Sequence, residues 1–246
     1  MEGKKYRLVI LMISLSTFAF AQTNYENRIY KSFISGEMKD WKAAIDEMES
    51  AKSKNNDFLP ELINYEYGYI GWCLGNDKKN QAKHYLELME ENLEILKNVE
   101  DNVALYHAYM AAALGFKIGL SNWCAPFLGP KSMDHAEKAM KNDSLNFQAN
   151  TELGNIWHHM PAVFGGSDEK ALKYYQKAIE IYENSEDKLK HKKWLYLNIL
   201  ATIGKLKFEQ KNYEQALLYY EKALNIEPKF VWVKNELLPE LKNEIN

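Results

Sequence analysis

Apolar residues recur every three to four positions along most of the chain, and the clearest example lies near the C-terminus. Ala216, Tyr220 and Ala223 fall at positions i, i+4 and i+7, on one face of an α-helix. An upstream segment has the same residue types at the same spacing: Ala171, Tyr175 and Ala178. The two small alanines let a neighbouring helix approach, and the tyrosine fills the space between them. The pattern predicts two equivalent helices.

A partner helix is predicted before each of these two. The segments 194–210 and 147–159 are both apolar on one side, and each contains a central glycine, Gly204 or Gly154. Glycine is a poor helix former, so its presence inside a helix indicates close packing against a neighbour. The two helix pairs differ in the connection, because the upstream pair has five extra residues around 161–167.

These paired helices resemble the tetratricopeptide repeat (TPR) family. The residues that carry the resemblance are Leu200, Ile203, Gly204, Tyr213, Ala216, Tyr220, Ala223 and Pro228. The resemblance implies an all-α, TPR-like right-handed superhelical solenoid of about five helical hairpins plus a C-terminal capping helix. The expected hairpins and cap are 24–53, 58–98, 101–142, 147–183, 188–226 and 229–245. The alternative is an irregular helical bundle whose last third is repeat-like.

Composition and charge narrow the class of protein. The 246 residues include only 12 Gly and 6 Pro, which disfavours a many-stranded β fold, and 13% aromatic residues, which disfavours low-complexity disorder. The formal net charge is −3. With no excess of basic residues to neutralise phosphates, nucleic acid is not expected as a partner.

The first 21 residues are typical of a cleavable signal peptide. Lys4, Lys5 and Arg7 precede an apolar run over 8–20, which ends in a small-x-small site at residue 21. The run is short for a transmembrane helix, although an uncleaved anchor is the alternative. We therefore expect a repeat domain at 22–246, exported to the periplasm or secreted, with no membrane span in the mature chain.

Extra aromatic and amide residues on the first helices of the four later hairpins are candidates for a binding face. Tyrosine combines apolar area with a polar tip and is enriched at interfaces. First helices line the concave surface in the resembled family, which implies a non-catalytic scaffold holding a protein or peptide there. The candidate contacts are Tyr67, Tyr106, Tyr109, Asn155, Trp157 and Asn198.

No enzyme, metal or cofactor motif is found in the sequence. None of the six histidines forms an H-x-x-x-H or H-E-x-x-H pair, and neither a nucleophile elbow nor a phosphate-binding glycine loop occurs. We therefore expect no catalytic residue, no metal and no cofactor.

Two connections between helices stand out. The insert 160–167 is either an extended turn or a loop that projects Phe164 as a further binding candidate; Pro161 is expected to end the preceding helix and Ser167 to cap the next. Its motif also resembles the T component of periplasmic TRAP-type transport systems. That resemblance implies an alternative function, an accessory component of a solute-uptake system that binds a small ligand or a substrate-binding protein.

The connection 121–130 holds Trp123 and Phe127, which either fold back into the core or line a binding surface.

The two cysteines leave a redox question open. Cys73 and Cys124 are expected at the same end of neighbouring first helices. In an exported protein this arrangement permits a disulfide, and two buried free thiols are the alternative.

Overall fold

A computed structural model describes residues 24–51, 54, 58–185 and 189–245, so the leader 1–21 lies outside the described residues. Over these ranges the protein is all-α, without a β-strand. The helices are α1 (24–35), α2 (Lys39–Glu49), α3 (Phe58–Gly75), α4 (Lys79–Leu96), α5 (Val103–Leu120), α6 (Ala125–Asn142), α7 (Phe147–His159), α8 (Asp168–Glu183), α9 (Lys193–Glu209), α10 (Tyr213–Ile226) and α11 (Leu238–Ile245), the last preceded by a π-helical turn at Val233–Leu237.

Consecutive helices pair into five hairpins, α1/α2 to α9/α10, and the final helical segment covers the last pair. The predicted TPR-like solenoid is thereby confirmed. One boundary differs from expectation, because α6 begins at Ala125 and the connection before it is only four residues long. Pro126 is tolerated in the first helical turn, where no N–H is needed, and Pro130 is accommodated inside the helix.

The predicted packing between paired helices is present in both C-terminal hairpins. A Cβ placed on Gly204 would overlap the ring of Tyr220, and a Cβ on Gly154 would overlap the ring of Tyr175. Both tyrosines are buried. Each glycine therefore makes room for the tyrosine of its partner helix.

Side-chain caps fix where three of the later helices begin. Asn146 accepts a hydrogen bond from the Ala149 N–H at 3.0 Å, which starts α7. Ser167 accepts one from the Lys170 N–H at 3.2 Å, as the sequence predicted. Asn212 does the same for α10. Each cap satisfies a backbone donor that the first helical turn leaves without a partner.

The solenoid closes on itself, because the first hairpin contacts the last one and the cap. The ring of Phe33 lies 5.8 Å from Trp194 and 4.9 Å from Phe230, measured between centroids. Trp41 and Trp194 meet edge to face at 5.0 Å. The hydroxyl of Tyr30 also donates to Glu227 at 2.9 Å. One continuous hydrophobic core consequently joins the two ends of the described chain.

Candidate functional site

The inner face of the solenoid is filled by the protein's own side chains. Tyr67 is 8% exposed and Tyr109 is fully buried. The ring of Tyr67 packs against both Tyr109 and Trp194. The expectation that Tyr67 and Tyr109 line an open concave groove is therefore wrong for this structure, since closure of the solenoid turns that surface into core.

Asn155 belongs to a polar network inside this core. Its amide donates to the hydroxyl of Tyr67 at 3.0 Å, and its carbonyl oxygen accepts from the hydroxyl of Tyr175 at 2.8 Å. Glu152, one turn earlier, accepts from the Gln148 amide at 2.7 Å. Burial raises the pKa of the Glu152 carboxyl to about 7, although its hydrogen bonds oppose that shift. Both polar groups of the half-buried Asn155 side chain are therefore engaged within the protein.

Lys192 is a buried cation beside the same network. Its Nζ lies 3.5 Å from the hydroxyl of Tyr109, which in turn donates to Asn64. Burial lowers the pKa of Lys192 to about 8, while the negative charge of Glu61 and Glu152 opposes the shift. Lys192 and Glu152 therefore each favour the charged form of the other, against the effect of burial on both.

The other candidates on first helices are half-buried. Tyr106 packs beside the rings of His107 and His135. Trp157 is covered by Lys170, whose Nζ lies 3.9 Å from a ring centroid of the indole. Asn198 is half-buried on α9. The structure does not bring these three residues together into one site.

Phe164 lies instead on a surface loop that is closed by backbone hydrogen bonds. After Pro161, a 3₁₀ turn covers Ala162–Phe164, and Gly165 follows in the left-handed conformation with a φ of 96°. A Cβ on Gly166 would collide with the carbonyl oxygen of Met160, so glycine is required there. The Ser167 N–H closes the loop by donating to the Trp157 carbonyl at 3.0 Å. This backbone leaves the side chains of Val163 and Phe164 exposed by 83% and 69%.

The turn between α5 and α6 also presents aromatic side chains to solvent. Trp123 is 75% exposed and Phe127 is 68% exposed. The sequence left open whether this connection forms core or binding surface, and in the structure these two side chains do not join the core. Of the exposed apolar residues at the two connections, Val163 is the one that the sequence analysis did not consider.

These two connections lie on the same side of the solenoid. Helices α5 and α7 pack in parallel, since Ala108 is in a cluster with Ala149, and Ala111 is in the next cluster with Leu153. Continuing this register brings the end of α5 beside the end of α7, where the two connections begin. We call the exposed set Trp123, Phe127, Val163 and Phe164 the aromatic edge. Exposed apolar clusters of this kind mark interaction surfaces in many proteins.

A pocket of about 490 Å³ opens at the opposite side, where second helices lead into first helices. Its wall includes the buried Gln148 and Lys192, together with His191. Burial lowers the pKa of His191 to about 4, so the ring is neutral at neutral pH. Carboxylates also line the pocket: Glu100, Asp101 and Asp143.

Both cysteines are free thiols in the structure. Cys73 is buried, and its Sγ lies 3.8 Å from the Gln81 side-chain oxygen, while Cys124 is half-buried. The disulfide that the sequence permitted is not formed. Among the described residues, no group of three or more His, Cys, Asp or Glu side chains is arranged to hold a metal ion.

The stretch Glu100–Leu120 is long and apolar enough to cross a membrane by length and composition, with a mean hydropathy of 1.3. The absence of a membrane span after the leader stays a prediction, because length and composition alone do not distinguish a spanning helix from a core helix. The helix packs against α3, α4, α6 and α7. Its Lys117 also forms an ion pair of 2.5 Å with Glu90. These contacts are typical of a helix that packs between its neighbours in a repeat array. Core helices of this kind also meet the length and composition criteria for a membrane span.

Comparison with known proteins agrees with the C-terminal repeat. The tetratricopeptide repeat family matches residues 198–230, which include most of α9 and all of α10. No curated protein matches the chain. Tetratricopeptide repeats generally mediate contacts between proteins, and an all-helical repeat fold is typically non-catalytic.

Proposed function

We propose that this protein is an exported, non-catalytic scaffold that binds a protein or peptide partner through its aromatic edge. The observation that carries the proposal is the exposure of four large apolar side chains at or beside the α5/α6 and α7/α8 connections, which lie on the same side of the solenoid. Monomeric proteins rarely expose contiguous apolar surface without a function for it. Exposed aromatic residues are also the type that supplies most of the binding energy at protein interfaces.

The aromatic edge supports this proposal better than the concave face does. A partner in the concave face would have to displace Tyr67, Tyr109 and Trp194 from the core, where truncating any one such ring costs about 3–5 kcal/mol. Binding at the edge requires no such opening. The loop that carries Phe164 is held by its own backbone hydrogen bonds, so little ordering entropy is lost on binding.

Serine substitutions on the edge test this site against matched controls. Trp123→Ser and Phe164→Ser remove edge side chains, while Leu145→Ser and Leu218→Ser remove side chains that are 62% and 56% exposed elsewhere. Each variant is used to capture partners from the native cell envelope, with recovery measured by quantitative mass spectrometry. We expect the edge variants to recover about tenfold less of one specific partner than the parent protein does. A tenfold weaker affinity corresponds to a loss of roughly 1.4 kcal/mol of binding free energy. Equal loss from edge and control variants would refute the site.

Export is tested at the N-terminus of the protein. The basic start and the small-x-small site support cleavage after Ala21. Sequencing of the protein recovered from native cells should give Gln22 as the first residue, in the periplasmic or secreted fraction. An intact N-terminus in the cytoplasmic fraction would overturn this part of the proposal.

A second candidate function is an accessory role in solute uptake, and the pocket beside Lys192 favours it. A pocket of about 490 Å³ is large enough for a small metabolite. Native mass spectrometry of the purified protein would reveal a bound metabolite, and capture experiments would recover a solute-binding protein. If neither is found while edge variants lose a different partner, the scaffold function stands and this candidate fails.

A further inference from the structure

The hairpin α5/α6 brings together two histidines that lie 28 residues apart in sequence. His107 on α5 and His135 on α6 face each other with 2.9 Å between their Nδ1 atoms. Their ring centroids are 5.0 Å apart, and both rings are half-buried and so reachable from solvent. We propose that this pair is a two-histidine binding site for a divalent transition-metal ion that prefers right-angled coordination, such as Cu²⁺ or Ni²⁺.

The separation between the two nitrogens selects the class of ion. Imidazole nitrogens lie about 2.0–2.1 Å from a bound metal. Two nitrogens 2.9 Å apart then subtend an angle of about 90° at the metal, whereas a tetrahedral angle would require a separation of about 3.3 Å. Neighbouring positions in square-planar or octahedral coordination are at 90°, which is the geometry of Cu²⁺ and Ni²⁺ sites. To bind one ion, each ring must turn so that its Nδ1 lone pair points about 45° away from the line that joins the two nitrogens.

The rings need no net loss of protons to bind the ion. Burial lowers the pKa of both His107 and His135, and the positive charge of Lys138 acts in the same direction, which favours the neutral imidazole that a metal ion requires. In the metal-free pair one Nδ1–H donates to the other Nδ1. Binding requires only that this proton move to Nε2 of the same ring.

The surrounding charges and packing also bear on the site. Asp134 lies near both rings and favours a cation, and its own ion pair with Lys138 is 2.7 Å long. The two helices are held at a fixed distance by small residues and by a hydrogen bond of 2.8 Å from the Ser132 hydroxyl to the Ala111 carbonyl. The ligands are therefore already close together before the ion arrives, which reduces the entropy lost on binding.

The test is titration of the purified protein, free of any polyhistidine tag, with CuCl₂ and NiCl₂ by isothermal titration calorimetry. His107→Ala and His135→Ala remove one ligand each, and His84→Ala removes an exposed histidine on α4 as the matched control. We expect one tight equivalent of Cu²⁺ per chain, weakened at least tenfold by either ligand variant and unchanged by the control. Lys138→Gln should strengthen binding severalfold, because it removes a positive charge near both rings.

Two further readouts keep the result unambiguous. Circular dichroism and thermal melting of each metal-free variant show whether it remains folded, and Cu²⁺ should raise the melting temperature of the parent protein but not of the ligand variants. If the ligand variants bind Cu²⁺ like the parent, or if Zn²⁺ binds more tightly than Ni²⁺, the proposed site is wrong. In that case the pair is a hydrogen bond of the hairpin alone. None of these results depends on the aromatic edge.

Discussion

A single methyl group on α3 tests whether the solenoid is closed. A Cβ added at Gly68 would lie 2.5 Å from Trp41 and 2.6 Å from Trp194, the two rings that join the first hairpin to the last. Gly71, one turn later on the same helix, has no atom within 4 Å of its added Cβ. Both substitutions to alanine gain about 0.5–1 kcal/mol from helix propensity. Only Gly68→Ala also overpacks the core, which costs about 1–3 kcal/mol.

The two variants should therefore differ in free energy of unfolding by about 1–3 kcal/mol, with Gly71→Ala the more stable. Urea unfolding followed by circular dichroism measures this difference, and thermal melting should show it as roughly 2–4 °C per kcal/mol for a chain of this size. A Gly68→Ala protein as stable as Gly71→Ala would refute the closure, because the two tryptophans would then not meet α3 as described.

Three other outcomes follow from the packing and charges. Gly204→Ala should lower stability by roughly 0.5–2 kcal/mol in urea unfolding, because overlap of its Cβ with the ring of Tyr220 costs about 1–3 kcal/mol and helix propensity returns about 0.5–1 kcal/mol; an unchanged midpoint would contradict that contact. The folded-state pKa of Glu152 is raised to about 7 from 4.5, so its contribution to stability is complete below pH 4.5 and is lost as the pH rises to about 7. This loss is of order 3 kcal/mol, and Glu152→Gln should remove it from the pH profile of unfolding. Cys73 and Cys124 should both react with a thiol reagent in the denatured, unreduced protein, and zero reactive thiols would show a disulfide.

The packing within hairpins could be predicted from the sequence because it is local. Ala216, Tyr220 and Ala223 share one helical face, and Gly204 lies on the helix directly before it in sequence. The helical periodicity of the two segments is therefore enough to predict that these faces pack together. The Ser167 cap is equally local, because the serine stands directly before the first turn of its helix. These features alone were enough to identify the repeat and to place five hairpins.

Closure of the solenoid leaves no comparable signal in the sequence. Phe33 meets Trp194 and Phe230 across more than 160 residues, and no period relates these positions. Tyr67 and Tyr109 therefore had the pattern expected of a concave face while being buried in fact. The pairing of His107 with His135 is hidden for the same reason, because motif spacing within one helix cannot detect ligands on two.

The exposure of the aromatic edge could not be predicted from residue type. Trp123 and Phe127 are residue types that normally lie in a core, yet both are exposed where α5 ends and α6 begins. Phe164 was a candidate from the glycines and proline around it, because such an insert must leave the helix and return.

Site-specific photo-crosslinking in native cells tests the central claim most directly. A photoreactive residue is placed at Val163 on the aromatic edge, and separately at Leu145 and Leu218, which are exposed elsewhere. The account predicts that one discrete protein or peptide partner crosslinks from position 163, that Phe164→Ser in the same chain abolishes the product, and that neither control position yields it. The same partner crosslinking equally from positions 145 and 218, or persisting after Phe164→Ser, would contradict binding through the edge.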